Sequence, residues 1–330
     1  MTINRTQEGA SPRSLQLSVF LRNNASVLLI YGLIVLVGGA AAIYAGNFRT
    51  PSNMLNILRQ SIILGLIAIG QSMVVLTGGA DMSVAMIARI VALVVATIFS
   101  LNNSNPALII PLILLGITIG FLLGGMNGML ITRTHANPFI ITFGIANVLR
   151  GVNLAISTTP IRGIPQAYLQ IYDAKIGIVP VNVIVMGLVW VAAWVFTTRS
   201  IPGRRLFAVG GSERIASWSA IRVNRTLVMA YVFSGVCAAM AGLFLLSRTG
   251  VGDPSAAEGM DFQSYMAVAL GGTSLYGGKG SIFGTLGGVL LLAMMNNVFN
   301  LTQVNIYFQQ LLLGLVVLIA VAAYKSPRSV

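Results

Sequence analysis

The sequence predicts an all-α, polytopic membrane protein, and three observations carry that prediction. Hydrophobic residues make up 56% of the chain and charged residues only 8%, against about 25% charged in a soluble domain. The apolar residues fall into runs of the length that crosses a bilayer as a helix, about 20 residues each. The basic residues gather in loops that an alternating thread places on one side.

Ten runs follow one another along the chain. The first is roughly Val27 to Ala45, the second Ser61 to Thr77 and the third Val84 to Ser100. The fourth, Pro106 to Ile131, carries Gly120, Gly124, Gly125 and Gly128, which suits close helix packing. Then come Pro138 to Ser157, Ile176 to Phe196, Thr226 to Ser247 and a short eighth run, Phe262 to Leu275. Ser281 to Asn300 and Ile306 to Tyr324 complete the set. The second, third, eighth and ninth are short or interrupted by glycine, so about ten spans are expected, with eight or nine as the lower count. The transmembrane region is then 27–325, between tails 1–26 and 326–330. The first tail is polar and carries Arg5, Arg13 and Arg22. The run after it lacks a small-residue cleavage site and reads as a retained helix.

Charge sets the expected orientation. With ten spans, one side carries both tails, Arg133, Lys279, Lys325 and the segment Arg199 to Arg225, which alone holds six of the twenty Lys/Arg. That side has thirteen basic residues and the other five: Arg49, Arg59, Arg162, Lys175 and Arg248. The excess places both termini and 199–225 in the cytoplasm. It also accounts for the net charge of +13 without nucleic acid as a partner; the partner of such loops is the lipid bilayer. Cys237 stands alone in an apolar run, so neither a disulfide nor a thiolate metal site is expected. His135, the single histidine, lies in a short basic loop, and no nucleophile–base set or paired carboxylates appear. An enzyme is not expected, nor a cofactor.

Three glycine-punctuated segments stand out. In Leu76 to Met86, Gly78 and Gly79 break a span and Asp81 or Ser83 can cap the next helix. Irregular backbone at membrane depth lines a cavity or is buried in protein, so this is either a kinked gate or a short turn. In Arg199 to Arg225, Gly203 and the Gly210–Gly211 pair bracket Arg204 to Val209, and Ser212 can cap a short helix from Glu213 to Ala220. Two turns of helix are marginal alone. The segment, with Arg214 and Arg222 on it, is either a glycine-hinged coupling helix gripped by a motor subunit or a basic loop on lipid headgroups. The third, Gly271 to Gly288, tempts toward a phosphate loop. Thr273 stands where the first glycine belongs and Gly280 follows Lys279, so the match fails. The first and third segments share an apolar half-span, a Gly-Gly break and a new helix, either a pattern of repeat-built transporters or the plain recurrence of Gly-Gly in a chain with 36 glycines.

Polar residues inside spans are costly and therefore informative. Here they are Gln71, Arg89, Asn147, Arg150, Asn153, Gln263, Asn296 and Asn297. Amides predominate, and no span centre holds a carboxylate, which weighs against ion-coupled carriage. Amides can hydrogen-bond a hydroxylated solute, but for any one of them interhelical bonding is the commoner role.

LTGGADMSV, AVGGSERIASWSAIRVNR and VALGGTSLYGGKGSIFGTLGG, the last followed by Asn296–Asn297, together resemble permease subunits of bacterial ABC sugar importers of the ribose, xylose and autoinducer-2 type. The resemblance runs from about Asn47 to Tyr324. It implies a ten-span, inverted-repeat ABC permease architecture in the inner membrane. It also implies partners: ATP-binding cassette ATPase subunits, a second permease copy or paralogue, and a periplasmic sugar-binding protein. By the same resemblance Gly210, Gly211, Ser212, Glu213, Arg214, Ala220 and Arg222 form the ATPase-coupling loop. Gly78, Gly79, Asp81, Ser83, Asn147, Asn153, Gln263, Gly271, Gly272, Asn296 and Asn297 are gate or pore-lining candidates. Outer loops 166–175 and 250–261 are candidate docking sites for the binding protein. Ala85-Met86 after Ser83-Val84, Ala80 before Asp81, and Arg89 one turn on depart from the family pattern and bear on substrate identity. Branched-chain amino-acid or nucleoside permeases share the glycine-rich turns and are the nearer alternative; a stand-alone secondary carrier is the farther one.

Overall fold

The computed structural model describes residues 25–305, 307–312 and 314–315. Among them eight helices are long and apolar enough to cross a membrane. In chain order the helices are α1 (Ala25–Tyr44), α2 (Pro51–Leu76), α3 (Val84–Leu101), α4 (Ile109–Thr134), α5 (Pro138–Ile156) and α6 (Gln166–Asp173). A two-stranded hairpin follows, β1 (Lys175–Ile176) with β2 (Val179–Pro180). Then come α7 (Val181–Arg199), α8 (Ile201–Gly211), α9 (Glu213–Trp218), α10 (Val223–Thr249), α11 (Met260–Leu270) and α12 (Ile282–Leu301).

Local chemistry starts these helices. Thr50, Asn137, Ser200, Ser212 and Ser281 each accept a bond from a backbone N–H in the following turn, as N-cap residues do. Pro51 and Pro138 occupy first positions, where a missing N–H costs nothing. His135 ends α4 in the left-handed conformation, its N–H donating to the Ile131 carbonyl. The histidine terminates this helix.

α2, α3 and α10 form the centre. α2 is buried continuously from Ser61 to Leu76 and α3 from Val84 to Leu93, as expected of helices apolar on every side. α4 lies along α10 at glycine distance. Gly120, Gly124 and Gly128, one turn apart, face Gly235, Tyr231 and Val228, and a Cβ on Gly128 would stand 2.7 Å from the Val228 Cα. Without a hydrophobic drive in lipid, such small-residue seams let backbones approach and gain dispersion contacts. α2, α4 and α10 run 26, 26 and 27 residues; α1, α3, α5 and α7 run 18 to 20.

Several boundaries differ from the sequence expectation. The eighth expected span is α11, an 11-residue helix that stops at Gly271. The tenth, Ile306 to Tyr324, lies largely outside the described residues. α2 begins ten residues before the expected Ser61, because Asn53 on its polar first turns finds a buried partner in Asn297. The two amides exchange bonds of 3.0 and 2.8 Å. Residues 175–180 are the hairpin, and the sixth span starts only at Val181.

Asn297→Leu is expected to lower stability by about 1–3 kcal/mol, because the buried Asn53 Oδ1 loses its donor, while Nδ2 keeps its bond to the Phe48 carbonyl. Adding Asn53→Leu restores most of it. Thermal unfolding in detergent of both single variants and the double variant measures the coupling; additive losses would mean the pair does not act as a unit.

Candidate functional site

The three glycine segments meet. α2 ends at Leu76, and the chain turns through Thr77 to Ser83 before α3. α11 ends at Leu270, and the chain turns through Gly271 to Ser281 before α12. The two breaks close alike. Gly79 N–H bonds the Val74 carbonyl and Thr273 N–H the Val268 carbonyl, each across a left-handed glycine, Gly78 (φ 83°) and Gly272 (φ 84°). This is the Schellman ending that glycine permits. Both turn at the same end of the bundle, so this pair of segments runs parallel.

The C-terminus of α8 sits on both breaks. The Gly278 N–H donates to the Leu76 carbonyl at 3.0 Å. A Cβ on Gly277 would stand 2.6 Å from Gly78 N, and one on Gly278 2.7 Å from Gly211 Cα. One on Gly210 would overlap the Leu76 carbonyl oxygen and stand 2.6 Å from Gly278 N. Three glycine pairs therefore bring three backbones into direct contact. The expectation of flexible glycine hinges is corrected here. Gly203 and Gly210 lie inside the helical α8, where a Cβ on Gly203 would overlap the Phe196 carbonyl oxygen. These two glycines serve close approach.

α9 projects from this junction. Ser212 caps it, its hydroxyl accepting from Ile215 N–H at 3.3 Å. The helix ends at Trp218, two residues before the expected Ala220, which is left-handed (φ 57°). Arg214 stacks over the Trp218 ring at 4.8 Å. Ile215 and Trp218 are 60% and 72% exposed, and Glu213 is exposed beside them. Arg222 precedes α10 without a side-chain cap bond. Ala216, Val209 and Leu227 form a small apolar cluster under α9, so a short helix that is marginal alone is held on the bundle.

The first break is held by four helices. Asp81 is fully buried; its Oδ1 accepts from the Ser83 N–H (3.0 Å) and hydroxyl (2.6 Å), and its Oδ2 from the Ser234 hydroxyl of α10 (2.9 Å). Asn127 of α4 donates to Ser83 Oγ at 2.7 Å. Thr142 of α5 accepts from Met82 N–H and donates to the Ala80 carbonyl, both at 3.1 Å. Gln71 of α2 spans the Asp81 peptide groups with its amide. Asp81 thus both caps locally and ties the break to distant helices. Ser234 and Asn127 are 153 and 44 residues away from their partners, a pairing with no local sequence signal.

The other candidates scatter. Gly79 packs against the Tyr231 hydroxyl, and Gly271 packs on the Gly284 backbone of α12. Asn147 is exposed and donates to the Phe143 carbonyl of its own helix. Asn153 is fully buried with both amide atoms unpartnered. Gln263 and Asn296 are half-buried. Gly277, Gly278 and Trp218 lie within the quoted motifs, and the recurrence of Gly-Gly in all three segments is the signal that marks the two glycines. Among the described residues no cluster of His, Cys, Asp or Glu is placed to hold a metal.

Comparisons with known proteins show the family. Residues 53–321 match the family model described as branched-chain amino acid transport system / permease component. The chain belongs to this permease family. The permease is 41% identical over 88% of its length to the ribose import permease protein RbsC of Bacillus subtilis (strain 168), covering 89% of that protein. It is 31% identical over 96% of its length to the D-allose transport system permease protein AlsC of Escherichia coli (strain K12), covering 95% of it. The fructose import permease protein FrcC of Rhizobium meliloti is 31% identical over 96% of the chain, with 89% of that protein covered. No solved structure matches. With eight apolar helices of spanning length among the described residues, the permease is a multi-pass membrane protein.

Proposed function

We propose that this permease is the membrane-spanning subunit of an ATP-binding cassette importer that passes a monosaccharide of the ribose class across the inner membrane. Its partners are cytoplasmic ATPase subunits, a second permease copy or paralogue, and a periplasmic sugar-binding protein. The observation that carries the reading is the seating of Gly210 against both Leu76 and Gly278. A push on α9 from an ATPase passes through α8 into both membrane breaks at once. The exposed Ile215 and Trp218 supply the grip, since aromatic anchors dominate protein interfaces. The basic excess of 199–225 faces this end to the cytoplasm, with both termini.

The opposite end then faces the periplasm. There the first turns of α2, the hairpin and the end of α12 enclose a cleft of 360 Å³. It is lined by Asn47, Thr50, Asn53, Asn56, Arg59 and Lys175 among others, which extends the expected docking site at 166–175. The names of the relatives favour a sugar. The family description and the Arg150–Glu258 ion pair, 4.0 Å apart, favour the second reading, a branched-chain amino acid, whose two charges such a pair would match.

The test is co-expression with the ATPase and binding protein. Ile215→Glu with Trp218→Glu is expected to weaken ATPase binding by about thirtyfold, the loss of one interface anchor worth 2 kcal/mol, while membrane insertion is unchanged. Vesicle uptake of labelled ribose, competed with leucine, decides the solute. Transport by the permease alone, without an ATPase, would sink the importer reading.

A further inference from the structure

We infer that Arg89 is a latch: its guanidinium holds the loop Val251–Gly259 against α3 as the outer gate of the solute path. The inference rests on the permease reading. Arg89 sits on α3, inside a spanning helix, and is 4% exposed. A buried arginine at such depth is costly unless carbonyls or counter-charges receive it. Here Nε donates to the Ala256 carbonyl at 2.7 Å and an Nη to the Ser255 carbonyl at 3.3 Å. Both acceptors belong to the loop that joins α10 to α11.

The loop descends along α3 to reach that arginine. Its upper part pairs with the opposite-end segment, Gly252 and Ile161 exchanging backbone bonds of 2.8 and 2.9 Å. Gly252 packs there against Ala96 of α3. Ala96 and Arg89 are seven residues apart, about 10 Å of helix rise. Non-helical backbone at that depth needs partners for its carbonyls, and the arginine fork supplies them. Below the fork, Ala257 is left-handed (φ 59°) and buried, a strained conformation for a residue with a Cβ. Arg150 of α5 approaches Glu258 at 4.0 Å, with both side chains more than half exposed. The fork is therefore the buried tie, and the ion pair a weak, solvent-reached one.

The position gives the latch its role. α3 begins at the first membrane break and the loop leads through α11 to the second. The glycine junction joins the two breaks at one end of the bundle, and Arg89 joins the segments that continue from them toward the other. Motion of α8 that separates the breaks has to release this tie before the outer path opens, and the tie must re-form for it to close.

Hydrogen exchange on the assembled complex in lipid nanodiscs, read on a peptide spanning 251–260, tests the latch. Arg89→Met, which keeps bulk and removes the donors, is expected to speed exchange at least about tenfold through easier local opening. Sugar is then also expected to leak down its gradient without ATP. Arg89→Lys keeps the charge but cannot fork, and about a threefold increase is expected from the lost second bond. Should Arg89→Met fail to fold, Arg89→Lys decides: exchange equal to wild type overturns the latch, as does unchanged exchange in a folded Arg89→Met. If the wild-type complex imports no sugar, the transport reading falls, while the exchange comparison still reports on the latch.

Discussion

Gly210→Val stops sugar uptake while the permease still inserts and still holds its ATPase: this is the largest functional effect expected. The added side chain has no space. Its first carbon already overlaps the Leu76 carbonyl oxygen, and Gly278 N lies 2.6 Å away. These neighbours are backbone, held by the Gly278–Leu76 bond, so α8 itself has to move. Displacing a transmitting element by about 1 Å can cost about 100-fold in rate, and uptake should fall at least that far. ATP hydrolysis should persist but lose its response to the sugar-loaded binding protein. The next residue is the control. Gly211 has nothing within 4 Å of a would-be Cβ, so Gly211→Ala is expected to transport normally. Uptake and ATPase rates in proteoliposomes, measured side by side, check both. If Gly210→Val and Gly211→Ala behave alike, the junction transmits nothing.

Gly235→Val is expected to be the most destabilising single change. On α10 it faces α4 where the two backbones come closest. A Cβ there would overlap the Gly120 carbonyl oxygen and stand 2.9 Å from the Gly124 Cα. Overpacking between rigid backbones costs about 3 kcal/mol or more, a large share of a total stability of about 5–15 kcal/mol. Gly144 on α5 provides the contrast, with nothing within 4 Å, and Gly144→Val should stay within about 0.5 kcal/mol of wild type. The midpoint of thermal unfolding in detergent and the yield of monodisperse protein are the measurements. Equal midpoints would mean that the α4–α10 seam does not hold the bundle together.

The sequence made the long apolar helices legible because lipid imposes one solution on the backbone, and the Ser212 cap of α9 because a serine before a short helix leaves a local mark, whereas Ser83 makes no side-chain cap bond to α3. The close packing of the fourth span was legible too, from glycines spaced by four. The first turns of α2 were not. Asn53, Asn56, Arg59 and Gln60 read as loop residues until Asn297, 244 positions away, shows what one of them pairs with. The glycines of α8 were misread for a related reason. A sequence shows that a glycine can bend, whereas only the neighbouring backbone shows that it must stay small. Arg89 likewise stood out as a costly residue, but its partners, 166 and 167 positions on, leave no local trace.

The two length classes of helix carry a further consequence. Helices of 18 to 20 residues span about 27–30 Å, and α2, α4 and α10, with 26, 26 and 27, about 40 Å. Hydrocarbon is about 30 Å thick, so the short helices match the bilayer upright while the three long ones must lean or protrude. The trio includes the helix that ends at the glycine junction and the one that launches the gate loop. Any change in their lean changes how much apolar surface the short helices leave mismatched. Bilayer thickness thereby becomes a variable of the transport cycle, and lipid acyl-chain length should tune the balance between inward- and outward-facing forms without touching the solute path.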